Sequence, residues 1–125
     1  MKILVIEDNP SNMKLAVRLL EGEGYDVLQA VEAESGLELA VARRPELILL
    51  DMQLPGMDGL SALKRLKEDE LTRDMKVIAL TAFAMDGDRE RFLKAGCDGY
   101  MAKPINYKEF LKMIESYKSG SDNGE

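Results

Sequence analysis

The chain contains no histidine. That excludes a histidine metal centre, a histidine general base and a phosphohistidine within the protein, so histidine chemistry has to arrive with a partner. Cys97 is the one cysteine, which excludes an internal disulfide and a thiolate metal cluster. Within Ala95-Gly96-Cys97-Asp98-Gly99 it reads as a small residue packed at a turn. No apolar run approaches the roughly 20 residues of a membrane span. Lys2 and four apolar residues before Glu7 are too short for a signal-peptide core. Basic charge is also scarce: 17 Lys and Arg against 23 Asp and Glu give a net charge of −6, the opposite of the basic stripe a nucleic-acid surface requires. The expectation is a cytoplasmic protein with no direct nucleic-acid or membrane partner.

What is present fits one folded domain. The 125 residues carry a 46% apolar fraction, enough for a single core. Short apolar runs alternate with helical patterns, and four such runs end in a polar residue. Ile3-Leu4-Val5-Ile6 leads into Glu7-Asp8, and Leu47-Ile48-Leu49-Leu50 into Asp51. Val77-Ile78-Ala79-Leu80 leads into Thr81, and Tyr100-Met101-Ala102 into Lys103-Pro104. The segment from Tyr25 to Ala30 reads as the second of five strands. Apolar runs of this length between turn residues are the signature of strands buried on both faces.

The helices between them are marked by periodicity and caps. Asn9 caps the first and Pro10 suits its first turn; Met13, Ala16, Val17 and Leu20 share a face, and Gly22 and Gly24 end it. Ala33, Leu37, Ala40 and Val41 mark the second, closed by Pro45, and Leu60, Leu63 and Leu66 the third. The fourth, expected over Met85 to Lys94, has a thin apolar stripe: only Phe92 and Leu93 are large and apolar after Met85. The fifth places Tyr107, Phe110, Leu111, Ile114 and Tyr117 on one side. Residues 119–125 have nothing to bury and read as a flexible tail or the start of a linker. The alternation predicts a (βα)5 doubly wound sheet of five parallel strands with right-handed crossovers. By analogy with the flavodoxin-like order 2-1-3-4-5, ligands bind beyond the carboxyl ends of the strands, where strands one and three diverge.

Glu7, Asp8, Asp51, Thr81 and Lys103 would then gather on one rim. A carboxylate can attack phosphorus to form an acyl phosphate, provided the charge of both anionic reactants is offset. Acidic oxygens suit Mg²⁺, a lysine supplies a compact charge and a hydroxyl a donor. Each residue also has a plainer role, as a helix cap, a solvated charge or a strand-end hydrogen bond, and Tyr100 is by default a core aromatic with a wet hydroxyl. Their coincidence favours the site, because three crowded acids repel one another without a cation.

At these residues the chain resembles the receiver domain of bacterial two-component response regulators, the CheY-like superfamily. The resemblance is carried by Glu7-Asp8, by the run from Leu50 to Gly59, by Thr81-Ala82, by Tyr100 and by Lys103-Pro104, and it covers residues 1–118. It implies a phosphoacceptor switch rather than an enzyme acting on a separate substrate. Asp51 would accept a phosphoryl group from a sensor histidine kinase or a histidine phosphotransfer protein. Glu7, Asp8, Asp51 and the main-chain carbonyl of Gln53 would hold Mg²⁺. Thr81 and Lys103 would bind phosphoryl oxygens, Ala82 would leave room for the group, and Tyr100 would turn inward as Thr81 moves. The resemblance also implies a cis bond before Pro104. A partly exposed ring of Pro10, Met13, Pro104 and Ile105 would dock the partner's helices, in a monomer or weak dimer. Output to a downstream protein would run through the fourth helix, fifth strand and fifth helix.

Two other functions fit less well. A haloacid-dehalogenase-like phosphatase needs a second acid two residues after its nucleophile, where this chain has Gln53. A flavin or nucleotide binder needs a Gly- or hydroxyl-rich first turn, where Glu7-Asp8-Asn9-Pro10 would repel phosphate.

Overall fold

In the computed structural model of the protein, residues 1–82 and 87–118 are described. The strands are β1 (Lys2–Ile6), β2 (Asp26–Ala30), β3 (Leu47–Asp51), β4 (Lys76–Thr81) and β5 (Gly99–Ala102). They form one parallel sheet in the order β2-β1-β3-β4-β5. The apolar runs are strands because both of their faces are covered. Ile3, Val5, Leu47, Leu49, Ile78 and Leu80 point into one layer, against Met13, Ala16, Leu20, Phe110 and Ile114. Leu4, Ile6, Ile48, Leu50, Val77 and Ala79 point into the other, against Ala33, Ala40, Ala62, Leu63 and Leu66. Ile3 to Ile6 and Leu47 to Leu50 are fully buried, and each such side chain contributes about 2 kcal/mol of transfer free energy.

The helices are α1 (Pro10–Gly22), α2 (Ala33–Arg43), α3 (Gly59–Glu68), α4 (Asp88–Lys94) and α5 (Tyr107–Ser116). Asn9 caps α1 by accepting from the Asn12 N–H at 3.0 Å, with Pro10 at the first turn. Asp58 caps α3 by accepting from the Ser61 N–H at 2.8 Å, and Asn106 caps α5. Helix α2 ends at Arg44, which takes the left-handed conformation before Pro45. Gly59 opens α3 against the loop after β3: a Cβ there would overlap Met52 Cα, so glycine is required for the approach.

Two details depart from the sequence expectation, and a third lies partly outside the described residues. Tyr25 precedes β2, because its N–H bonds back to Leu20 C=O at the end of α1 rather than into the sheet. Tyr107, as the first residue of α5, is 54% exposed, while Phe110 and Ile114 carry the buried face. Within the described residues α4 runs from Asp88; the expected start at Met85, like the 119–125 tail, lies outside them. Its thin stripe is real, with Phe92 its one buried residue.

Candidate functional site

The sheet order places the ends of β1, β3, β4 and β5 on one rim. Asp51 ends β3 beside Leu80 of β4, and the Met52 N–H donates to Leu80 C=O at 2.8 Å. Glu7, next after β1, donates its N–H to Ala30 C=O at 3.0 Å. Lys103, next after β5, donates its N–H to Thr81 C=O at 2.7 Å. Backbone bonds thus aim each functional side chain, and the Lys103–Pro104 peptide bond is cis.

Glu7 and Asp51 are both only 2% exposed, which is costly for acids unless they are paired. The Lys103 ammonium lies between them, 2.8 Å from Glu7 Oε1 and 3.2 Å from Asp51 Oδ2. Glu7 Oε2 also accepts from the Asn9 N–H at 3.1 Å, and Asp51 Oδ1 from the Gln53 N–H at 2.9 Å. Burial raises the Glu7 pKa; Lys103 draws it down in part, Asp51 pushes it up, and the balance leaves it above the ordinary glutamate value. Burial acts to lower the Lys103 pKa, but Glu7 and Asp51 outweigh that and hold it above the ordinary lysine value.

Asp8 is exposed beside this pair. Glu7, Asp8 and Asp51 each offer a carboxylate oxygen within 4.8 Å of the others. Such an all-oxygen set, with room for solvent on the Asp8 side, fits a hard cation such as Mg²⁺. Thr81 is buried at the end of β4, and Ala82 is exposed at its mouth. Tyr100 is half-buried, its ring 5.9 Å from that of Phe92, so it packs under α4.

The side chain of Gln53, for which the sequence suggests only a carbonyl role, joins the two loops. Its Nε2 donates to Thr81 Oγ1 at 2.7 Å and its Oε1 accepts from the Ala82 N–H at 2.9 Å. No local signal marks such a bridge, since a glutamine in a loop after a strand reads as solvated.

Of the expected docking ring, Pro10 and Pro104 are exposed and Ile105 is half-buried against the α1 and α5 layer. Met13 is corrected: at 6% exposure it belongs to the core, because its position on α1 shares the face of Ala16 and Leu20. Its remaining surface, with Glu7, Asp8, Pro10 and Val17, lines a depression of about 570 Å³ that reaches Val31.

The sequence matches the response regulator receiver domain family over residues 3–115. With that match spanning most of the chain and the acidic rim at the expected strand ends, the chain belongs to this family and is a receiver domain of a two-component system. Its sequence is 45% identical over 115 residues to the polar-differentiation response regulator DivK of Brucella anthropi, covering 92% of this chain and 94% of that protein. DivK of Brucella ovis is similar to the same degree. Among solved structures, the receiver domain of a sensor histidine kinase from Pseudomonas aeruginosa superimposes with a TM-score of 0.85 at 36% identity, covering 93% of this chain and 95% of that one. That structure has a magnesium ion coordinated in its active-site cleft. A response regulator of Chloroflexus aurantiacus gives a TM-score of 0.88 at 27% identity, over 93% of this chain and 95% of that one. Receiver domains are signalling switches rather than enzymes with a separate substrate.

Proposed function

We propose that Asp51 is the phosphoacceptor of a cytoplasmic phosphorelay, charged by a sensor histidine kinase or a histidine phosphotransfer protein. The observation that carries this is the convergence of buried Asp51 with Glu7, Asp8 and Lys103 on one rim. An Asp51 carboxylate oxygen attacks phosphorus, forming an O–P bond as the P–N bond of phosphohistidine breaks. The imidazole nitrogen leaves with the electron pair. Because this chain has no histidine, the donor is necessarily outside it.

Glu7, Asp8, Asp51 and the Gln53 carbonyl would hold Mg²⁺, which when bound offsets the charge between carboxylate and phosphoryl oxygens. Lys103 is already oriented on Asp51, and its ammonium transfers from carboxylate to phosphoryl oxygen with little movement. Thr81 supplies a hydroxyl and Ala82 leaves the entrance uncrowded. Pro10, Pro104 and Ile105 offer a small apolar edge to the donor's helices, and residues 1–118 form the working unit. Catalysis is confined to the chain's own phosphorylation and dephosphorylation. Output passes through α4, β5 and α5, where Tyr100 repacks as Thr81 shifts, toward a downstream protein that binds this monomer or weak dimer.

Phosphotransfer from a radiolabelled phosphohistidine donor tests the assignment. Label should pass to the chain only with Mg²⁺ and be lost in Asp51→Asn; label retained by that variant would refute it.

A further inference from the structure

The Gln53 carboxamide occupies an unusual place. It spans from the loop after β3 to the end of β4, and both of its polar atoms are engaged there, on Thr81 Oγ1 and the Ala82 N–H. Its own N–H meanwhile donates to Asp51 Oδ1, so the residue touches the acceptor carboxylate with its backbone and the opposite wall with its side chain. An incoming phosphoryl group on Asp51 brings only acceptor oxygens to this wall. The Ala82 N–H has one hydrogen, and Gln53 Oε1 already takes it. The Thr81 hydroxyl is tethered to the amide nitrogen at a short 2.7 Å.

We infer that the Gln53 side chain is a stand-in for the phosphoryl group, a positioning residue that holds Thr81 and Ala82 in the unmodified protein and must be displaced when phosphate arrives. The competition rests on the phosphoacceptor reading of Asp51; the bridge itself does not. Gln53 therefore sets the threshold of the switch. A glutamine bridge of two hydrogen bonds resists premature closure of the wall, and its loss eases occupancy of the site by a phosphoryl group or its analogue. Because each net hydrogen bond in water is worth only a fraction of its gross strength, the expected change in affinity is about fivefold rather than many orders of magnitude.

The test pairs two readouts on the whole chain, with Gln53→Met, which keeps length and loses both polar atoms, and Gln53→Ser, which loses the reach without adding bulk. In the metal-free protein, the Ala82 amide should exchange with solvent about tenfold faster in both variants, as expected for the loss of a protecting bond. With Mg²⁺ present, beryllofluoride should bind about fivefold more tightly to both than to the unaltered chain. Adding Thr81→Ala should shrink the gain from Gln53→Met, since half of the tether is then already absent. Unchanged Ala82 exchange would overturn the bridge. Faster exchange with equal or weaker beryllofluoride affinity would make Gln53 a purely structural strut and overturn the competition. Failure of the unaltered chain to bind beryllofluoride at all would overturn the phosphoacceptor reading and the competition together, while leaving the exchange result to report on the bridge.

Discussion

At the scale of a single residue, Lys103 is the counter-ion of two buried acids. Three acids on one rim repel, and in the metal-free protein the Lys103 ammonium answers Glu7 and Asp51 directly. Removing one partner of a buried pair leaves an uncompensated charge, so Lys103→Met should lower metal-free stability by about 3 kcal/mol in denaturant melts. Saturating Mg²⁺ should restore a large part of that loss, because a cation held by the same oxygens replaces the missing charge and binding to the folded state stabilises it. A variant as stable as the parent without metal would contradict the role of Lys103 as internal counter-ion. Asp58 acts just outside the site, as the cap of α3. The Ser61 N–H bond to its carboxylate, opposed slightly by burial, holds its pKa below the ordinary aspartate value. With the folded pKa depressed, the added stability is present above the unfolded value of about 3.9 and is lost as pH falls through the folded value. Asp58→Ala should therefore cost about 1 kcal/mol at pH 7 and less as the solution is acidified below the unfolded value. Asp58→Asn keeps a cap that does not titrate, and a stability difference between parent and this variant that ignores pH would disprove the assignment.

At the scale of elements, glycines separate packing from flexibility. Gly59 places the start of α3 against the Met52 backbone, one residue from Asp51, and an added methyl would meet main chain that cannot yield cheaply. Gly59→Ala should cost about 1–3 kcal/mol through overpacking and distort the loop that aims Asp51. Gly22, at the end of α1, has open space where a methyl would sit, with nothing within 4 Å, and no positive φ. Gly22→Ala should instead stabilise by about 0.4–1 kcal/mol, by reducing the freedom of the unfolded chain. Thermal melts of the two variants check both signs. The same scale explains why α4 is suited to transmit a change: one buried residue, Phe92, ties its seven residues down, and that ring stacks near Tyr100 at 5.9 Å. Elements with few buried contacts open at low cost.

At the scale of the whole molecule, the rim is legible in the sequence because β1, β3 and β4 are apolar runs that each lead straight into a rim residue. The strand order, in contrast, comes only by analogy, and β2, broken by Asp26 and Gln29, carries a weaker signal. Leu50-Asp51 and Leu80-Thr81 need no tertiary information to be placed, once the sheet is parallel. Met13 reads as part of an exposed ring but is core, because the same residue satisfies a buried face and lies near the rim, and only packing decides between them. The Gln53 bridge is illegible because it depends on the separation of two loops 28 positions apart in sequence. The counter-ion position of Lys103 is likewise hidden, since pairing with Glu7 depends on β1 and β5 converging across β3 and β4.

Phosphorylation of Asp51 on this rim is tested most directly by chemical localisation of the modification. The protein is incubated with acetyl phosphate and Mg²⁺, reduced with borohydride, which converts an acyl phosphate to the alcohol, and digested for peptide mass analysis. The account predicts conversion at Asp51 alone, absent when the metal is chelated. Conversion at another carboxylate, or a phosphate on a serine or threonine that survives hydroxylamine, would contradict it.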